Sequence, residues 1–265
     1  MSENKEFYRQ TAISEEEIKR LKQIDYPNHA SEALLTDYDL KDRKVLDAGA
    51  GPNDKLAAFI TKKGGTYIPA DIRGDVLKNM RASLQEQNLP FLGVQADASQ
   101  LPFSDNAFDI THQRFVFMNV ASEKHAPILA ELTRVTKEDM LLLEYNWETL
   151  HSTNDPETIE RFRQIAFTIF SRFSTDPYMG QKLPTLLNQS PTPLRYTIRH
   201  FQRSENKTNS NELLQVLPGF HSAALNMLKD EKLAQSIAEL IEQLKTKPIN
   251  FTPPEIIAAV AKKKN

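Results

Sequence analysis

Short apolar runs alternate with amphipathic stretches along the middle of the chain. The apolar runs have the length and composition of buried strands, and between them apolar residues recur every three or four positions, as on one face of a helix. The predicted strands cover residues 43–48, 66–70, 91–96, 107–112 and 140–146, and the predicted helices cover 54–63, 75–87 and 123–135. Strands that alternate with helices in this way favour right-handed crossovers, and hence a doubly wound, largely parallel sheet covered on both faces.

The pattern becomes less regular on both sides of this region. Residues 14–24 predict an amphipathic helix, and 155–173 and 230–247 predict two longer ones. Residues 195–201 alternate as a strand does, whereas 174–193 are rich in Pro, Gly and Asn and predict a loop. We therefore expect an N-terminal helical cap segment, a Rossmann-like core, a helical lid and a C-terminal part that completes the sheet, over residues 1–40, 41–150, 151–194 and 195–265.

Composition narrows the class of protein. The chain has 265 residues, of which 40% are hydrophobic, and its net charge of −2 gives no reason to expect nucleic-acid binding. Cysteine is absent, which excludes disulfides, cysteine nucleophiles and thiolate metal sites. No apolar run reaches about 18 residues, so neither a membrane span nor a secretory signal is expected. The composition therefore predicts a cytoplasmic protein that binds neither nucleic acid nor membranes.

The stretch VLDAGAGPND (45–54) is the most informative in the chain. Only eight glycines occur in total, and Gly49 and Gly51 follow an apolar run that ends in an acid, Asp47. In a doubly wound sheet, ligands bind beyond the carboxyl ends of the strands, where glycine lets the backbone approach them. A dinucleotide fingerprint needs a third glycine at the position of Asp54. Because a carboxylate there would compete with a pyrophosphate for the positive helix end, NAD and FAD are disfavoured.

S-adenosylmethionine suits these residues better, because it carries no phosphate. Asp47 could accept hydrogen bonds from the ammonium group or brace the loop. Asp71, which ends the second strand, could hold both ribose hydroxyls, and Asp97, after the third, could accept from the adenine amino group. Three acids that follow three successive strands are a more specific signal than two glycines, so we predict S-adenosyl-L-methionine as the cofactor.

These residues resemble those of class I S-adenosylmethionine-dependent methyltransferases, within them the UbiE-like branch that acts mostly on small molecules. The resemblance is carried by KVLDAGAGPND, YIPADI, VQADASQLPFSDNAFDITHQRFVFMNV and LLLEYNW. It implies a Rossmann-like sheet of seven strands, mostly parallel, with an antiparallel last strand over 255–263 and a helical cap. It also implies cofactor contacts at Asp47, Gly49, Gly51, Asp71, Ile72, Asp97, Ala98 and Gln113, with Arg114 supporting the cofactor pocket.

The resemblance implies a methyltransferase that acts on a small-molecule acceptor by direct in-line displacement, on oxygen or carbon. No two of the six histidines have metal-ligand spacing with an acid between them, so no metal site is expected. A base would help if the acceptor is a hydroxyl or an acidic carbon. His112 and His151 are the candidates, because each lies at or after the carboxyl end of a predicted strand.

The acceptor site is expected in the cap, where aromatic side chains could line an apolar pocket. The candidate substrate contacts are Phe7, Tyr8, Tyr26, Tyr145 and Trp147. Two other functions stay open at this point. One is a protein that binds S-adenosylmethionine without transferring its methyl group, as a sensor or as a different enzyme. The other is a methyltransferase for protein or RNA, for which the charge balance gives no support.

Overall fold

The computed structural model describes residues 26–203 and 208–264. The predicted helix over 14–24 and the candidate contacts Phe7 and Tyr8 lie outside these residues. The helices are α1 (Tyr26–Leu35), α2 (Asp54–Lys62), α3 (Gly74–Glu86), α4 (His125–Val135), α5 (Pro156–Arg172), α6 (Met179–Asn188), α7 (Ser210–Ser222) and α8 (Glu231–Thr246). The strands are β1 (Lys44–Ala48), β2 (Thr66–Asp71), β3 (Val94–Gln95), β4 (Phe108–Arg114), β5 (Thr136–Asn146), β6 (Leu194–Phe201) and β7 (Glu255–Lys263).

All seven strands form one sheet in the order β3-β2-β1-β4-β5-β7-β6. Neighbouring strands are parallel except that β7 runs antiparallel to both β5 and β6. Strand β1 lies between β2 and β4, and its last residue, Ala48, lies opposite Ala70 of β2 and Gln113 of β4. The structure confirms the predicted Rossmann-like, doubly wound sheet of seven strands and its antiparallel last strand.

Both faces of the sheet are buried, which explains why its strands are apolar runs instead of alternating ones. Val45 belongs to the core on one face, with α1 and α2. The adjacent Leu46 belongs to the core on the other face, with α4 and α6. Since successive side chains of a strand point to opposite faces, a strand buried on both needs apolar residues at nearly every position.

Helices α5, α7 and α8 pack on one another around a separate apolar core, which we call the cap core. It is formed by the fully or nearly fully buried side chains of Leu150, Ile159, Phe162, Leu217, Ile237, Leu240 and Phe251, among others. The predicted boundaries differ from this arrangement. Of the C-terminal part, only β6 and β7 complete the sheet, and α7 and α8 extend the cap, because their buried apolar side chains pack with those of α5.

Helix α6 lies inside the stretch that was predicted to be a loop, and that prediction is wrong. Its apolar side chains Met179, Leu183 and Leu187 pack into the sheet core. Gly180 lets the helix approach β5 closely, because a Cβ there would lie 3.0 Å from the carbonyl oxygens of Glu144 and Tyr145. Burial therefore outweighs the low helix propensity of the Gly and Pro residues in this segment.

No helix within residues 26–203 and 208–264 is long and apolar enough to cross a membrane.

Candidate functional site

The carboxyl ends of β1, β2, β3 and β4 surround a cavity of about 250 Å³. Its walls come from the loops that follow these strands and from the start of α2, with Asn28 of α1 and Ile128 of α4 added at the sides. The structure brings most of the predicted cofactor contacts to this cavity. The predicted residues that line it are Asp47, Gly49, Gly51, Asp71, Ile72, Asp97, Ala98 and Arg114.

The two glycines after β1 serve different purposes. Gly49 has a φ of +73°, and a Cβ there would lie 2.3 Å from Cγ2 of Val116, so the segment after β4 occupies the space a side chain would need. Gly51 has a φ of +57°, and nothing lies within 4 Å of its Cβ position. Gly49 is therefore required by packing, whereas Gly51 leaves the cavity wall bare for a ligand.

Helix α2 begins at Asp54, and the residue before it supplies the cap. Asn53 is the N-cap, and its side-chain oxygen accepts a hydrogen bond from the backbone N–H of Leu56. The Asp54 carboxylate instead accepts from the hydroxyl of Ser83 in α3. It nevertheless lines the cavity. A carboxylate is thus present at this wall, as the argument against a pyrophosphate requires.

Two carboxylates stand at the cavity beyond β2 and β3. Asp71 accepts hydrogen bonds of 2.9 Å from the backbone N–H groups of Gly51 and Arg73, and burial raises its pKa in spite of these bonds. Asp97 accepts from the N–H and hydroxyl of Ser99, and its other oxygen lies 3.9 Å from Nζ of Lys124. Between them the cavity can accept hydrogen bonds from hydroxyl and amino groups of a ligand.

Asp47 is almost fully buried and has a protein partner on each oxygen. The hydroxyl of Tyr67 donates to Oδ2 at 2.7 Å, and Nδ1 of His112 lies 2.7 Å from Oδ1. Burial alone would raise the pKa of Asp47, but the charge and hydrogen bond of His112, the Tyr67 bond and the charge of Arg114 lower it. Asp47 therefore stays ionised and braces the glycine loop, one of the two roles predicted for it.

Neither candidate base lies at the cavity, which contradicts that prediction. His112 is fully buried, and its second ring nitrogen, Nε2, lies 2.9 Å from the hydroxyl oxygen of Ser31 in α1. Both nitrogens are thus occupied within the protein. His151 is exposed, lies beside the backbone of Thr252, and has its Nδ1 2.9 Å from the carbonyl oxygen of Thr149. A position at the end of a strand fixes where the Cα of a residue lies. It does not fix whether the side chain faces the cavity or packs into the core.

Gln113 also differs from its predicted cofactor contact. It is fully buried and donates to Oε1 of Glu144 at 3.0 Å, away from the residues that line the cavity. Glu144 in turn accepts from the backbone N–H groups of Phe117 (2.8 Å) and Met118 (3.3 Å). Burial raises the pKa of Glu144 to about 8, against the effect of these hydrogen bonds. In the sequence, an acidic residue within the most apolar predicted strand was the signal that Glu144 is a buried carboxyl group.

The candidate substrate contacts among the described residues do not line the cavity. Tyr145 stacks on Phe115 with ring centroids 4.1 Å apart, and Phe115 lines the cavity. Trp147 meets Tyr145 edge to face at 6.1 Å and joins the aromatic side chains of the cap. Tyr26 donates its hydroxyl to the carbonyl of Phe201 in β6. None of these three lines the cavity, because each is engaged by its own packing.

Asn28 and Asn119 line the cavity and were not among the predicted contacts. Asn119 donates to the carbonyl of Phe115 at 2.7 Å and accepts from the hydroxyl of Thr175 in the loop before α6. Nothing in the sequence pointed to Asn28, since 86 positions separate it from its partner Arg114.

Among the described residues, no group of three or more His, Asp or Glu side chains is placed to hold a metal ion.

Comparison with known proteins agrees with this geometry. Residues 46–143 match a family described as a methyltransferase domain, Methyltransf_11. Among solved structures, the YcgJ protein of Bacillus subtilis superimposes with a TM-score of 0.57 at 16% identity, over 89% of this chain and all of that one. Phosphoethanolamine N-methyltransferase 2 of Haemonchus contortus, solved with S-adenosyl-L-methionine, gives 0.61 at 13% identity, over all of this chain and 61% of that one.

Two curated relatives carry the name ubiquinone/menaquinone biosynthesis C-methyltransferase UbiE. The one from Idiomarina loihiensis is 37% identical over 111 residues, which cover 39% of this chain and 43% of that protein. The one from Burkholderia mallei is 34% identical over 145 residues, which cover 52% and 53%. The chain thus spans about half the length of the curated relatives it matches.

Fold, cavity and family match together define a class I S-adenosylmethionine-dependent methyltransferase domain. Within that class, the matched part of this chain is similar in sequence to UbiE C-methyltransferases. The cofactor of the class is S-adenosylmethionine, as the three acids and the glycine loop predicted.

Substituting the two glycines should separate packing from backbone strain. Gly49→Ala and Gly51→Ala both place a side chain in the left-handed region, at a cost of about 1–2 kcal/mol. Only Gly49→Ala adds the overlap with Val116. We therefore expect a larger loss of unfolding free energy for Gly49→Ala, measured by urea denaturation. Equal losses in both variants would contradict the assigned role of Val116.

The buried Glu144 should make stability depend on pH. It loses its proton near pH 4.5 in the unfolded chain and near pH 8 in the folded one, so the folded chain binds more protons between these values. Its contribution to the free energy of unfolding should be complete below about pH 4.5 and should be lost as the pH rises to about 8. Glu144→Gln removes this component. A difference between the wild-type and variant stabilities that stays constant over this range would count against the buried acid.

Proposed function

We propose that this protein is a methyltransferase that moves the methyl group of S-adenosylmethionine to a small-molecule acceptor, with carbon as the favoured acceptor atom. The observation that carries the proposal is the convergence of Asp47, Asp71 and Asp97 on one cavity, around a glycine loop that leaves its wall bare. The names of the UbiE relatives, as C-methyltransferases, favour carbon over oxygen.

Each end of the cavity suits one part of the cofactor. Asp97 and the exposed side chain of Ile72 would hold the adenine, by a hydrogen bond and an apolar contact. Asp71 would accept hydrogen bonds from the ribose hydroxyls, with the backbone N–H of Gly51 keeping its carboxylate in place. The sulfonium supplies an already activated methyl group. The remaining task of the chain is therefore to orient the acceptor and to exclude water.

The acceptor would approach from the side of β4. There the cavity is lined by Phe115, Val116, Asn119 and Val120, whereas the three carboxylates lie near the ends of β1 and β2 and after β3. These apolar and amide side chains favour an uncharged or anionic organic acceptor whose nucleophilic carbon carries its own acidity. Since neither His112 nor His151 lies at the cavity, we propose direct transfer without a histidine base.

Three predictions about the whole protein accompany this proposal. The acceptor is a small molecule. The balance of 33 basic against 35 acidic residues gives no support to a nucleic-acid acceptor. The helical cap covers the acceptor during transfer, since the loop before α6 bonds to Asn119 at the cavity. The protein works in the cytoplasm without a metal ion.

Binding of the cofactor without methyl transfer is the second candidate function. The fold is compatible with it, because a chain described as the [4+2]-cyclase SpnF superimposes with a TM-score of 0.54 at 14% identity. The two candidates share the cofactor and differ in its fate. Formation of S-adenosylhomocysteine and a methylated product separates them.

Cofactor binding can be measured with S-adenosylhomocysteine by calorimetry. Asp71→Ala should weaken binding by about 1.5–3 kcal/mol, because it removes a charged partner of the ribose hydroxyls. Asp75→Ala is the matched control, since Asp75 lies four residues further on and pairs with Arg73 at the surface. Unchanged affinity in Asp71→Ala, or tight binding of NAD, would exclude the proposed site.

Methyl transfer can be tested with labelled S-adenosylmethionine and a panel of phenols, hydroquinones and 1,3-dicarbonyl compounds. We expect labelled carbon-methylated product that persists in chelator and in His151→Ala. Loss of turnover in chelator would contradict the metal-free mechanism. Loss in His151→Ala alone would restore a role for that histidine, and label on oxygen would overturn the preference for carbon.

A further inference from the structure

Glu144 is a buried acid that holds one side of the cavity through backbone hydrogen bonds. It is fully buried, and its carboxyl group accepts from the N–H groups of Phe117 at 2.8 Å and Met118 at 3.3 Å. These two residues belong to the stretch 116–119, which we call the wall segment because its first and last residues line the cavity. An ionised carboxylate makes hydrogen bonds about twice as strong as those of a neutral acid. The protonation state of Glu144 therefore sets how firmly the wall segment is held.

Gln113 can serve as a partner for both protonation states of Glu144. Its Nε2 donates to Oε1 of Glu144 at 3.0 Å, which suits an ionised carboxylate. Its own Oε1 is buried and has no hydrogen-bond partner within residues 26–203 and 208–264. A half-turn of the side-chain amide exchanges the positions of Nε2 and Oε1, so that the oxygen can accept the proton of a neutral Glu144. The pair thus has one hydrogen-bonded arrangement with the proton and another without it.

The loop before α6 brings a second carboxylate to the wall segment. The backbone N–H of Asp176 donates to the carbonyl of Met118 at 2.7 Å, and Lys182 of α6 pairs with the Asp176 side chain. Burial and the charge of Asp176 favour the protonated form of Glu144, whereas the three N–H groups favour the ionised form. The balance of these effects raises the pKa of Glu144 to about 8, so both forms are populated near neutral pH.

Other elements contribute one further titratable group to the wall segment. His125 of α4 has its Nε2 2.8 Å from the carbonyl oxygen of Phe117. On the β7 side, the residue opposite Glu144 is the apolar Ile257. A pH-dependent change in the wall segment could therefore originate in Glu144, Asp176 or His125, and variants of the three separate these origins.

We propose that Glu144 is a proton-dependent latch on the cavity: without its proton it fixes the wall segment, and with its proton it lets this segment move. The latch itself does not depend on the proposed function, whereas its effect on cofactor affinity does. The wall segment begins at Val116, which fills the space above Gly49 of the glycine loop. A ligand that needs both walls in place should bind the ionised form more tightly, and binding then releases a proton to the solvent.

Tryptophan fluorescence of the unliganded protein can detect the latch. The chain contains one tryptophan, so the emission has a single source. Trp147 lies three residues after Glu144, and its backbone N–H bonds to the carbonyl of Pro177 in the loop before α6. We expect the emission of wild type to change in one step centred near pH 8, and Glu144→Gln to lack this step. A step that persists in Glu144→Gln, or no step in wild type, would overturn the proposal.

Three more variants assign the step to its origin. Asp176→Asn should move the midpoint to lower pH, because it removes a charge that favours the protonated form of Glu144. Glu148→Gln is the matched control, since it removes an exposed carboxylate four residues after Glu144 and should leave the midpoint unchanged. An unchanged midpoint in Asp176→Asn, or loss of the step in His125→Gln alone, would overturn the assignment to Glu144. Asp176→Asn decides the matter if Glu144→Gln does not fold.

The effect on the cavity can be measured with S-adenosylhomocysteine by calorimetry. We expect wild type to bind it about 3- to 10-fold more tightly one pH unit above the midpoint than one unit below, since coupling of one pKa unit corresponds to a factor of ten. Glu144→Gln imitates the neutral acid, so its affinity should match that of wild type below the midpoint and lack this increase. Buffers with different ionisation heats should show release of part of a proton on binding to wild type only. Equal pH dependence in both proteins would contradict the latch.

Failure of the latch and failure of the proposed function give different results. If wild type shows the fluorescence step but binds no S-adenosylhomocysteine at either pH, the cofactor site is wrong and the latch stands. If wild type binds the ligand but shows no step, the cofactor site stands and the latch is wrong.

Discussion

The buried carboxylate of Asp47 is the interaction on which the site depends. It is the last residue but one of β1, and its two hydrogen bonds tie this strand to Tyr67 on β2 and to His112 on β4. Through His112 the same group reaches Ser31 and thus helix α1. A buried charge that lost these partners would be strongly destabilising, so the three strand ends and the helix keep one arrangement. The glycine loop begins two residues later, at Gly49, so its position depends on the same hydrogen bonds.

A second buried carboxyl group, Glu144, organises the opposite side of the cavity. It accepts from the backbone of Phe117 and Met118, in the segment between Val116 and Asn119 that forms the β4 wall. The backbone N–H of Asp176 also bonds to the carbonyl of Met118, which joins the loop before α6 to the same segment. Strand β5 and the loop before α6 are therefore both hydrogen-bonded to the short segment 116–119, which contributes to the cavity wall.

The sheet and the cap contribute to the structure in different ways. The fold recurs among proteins that share only 13–16% identity with this chain. In this chain the cap has its own apolar core, formed from segments on both sides of β6. The carboxylates at the cavity are thus placed by the ends of the strands, whereas the cap packs around a core of its own.

The sequence by itself determined the seven-stranded doubly wound sheet, the glycine turn and the acids that follow three strands. These are local features, since a strand buried on both faces must be apolar throughout and a loop at a strand end must carry the ligand contacts. The tertiary structure decided the rest. His112 and Gln113 lie at the predicted edge but turn into buried networks with Asp47 and Glu144, and Asn28 reaches the cavity from a helix 86 positions before its partner. Which way a side chain turns, and which distant residue meets it, depends on packing between elements, and no local pattern records that.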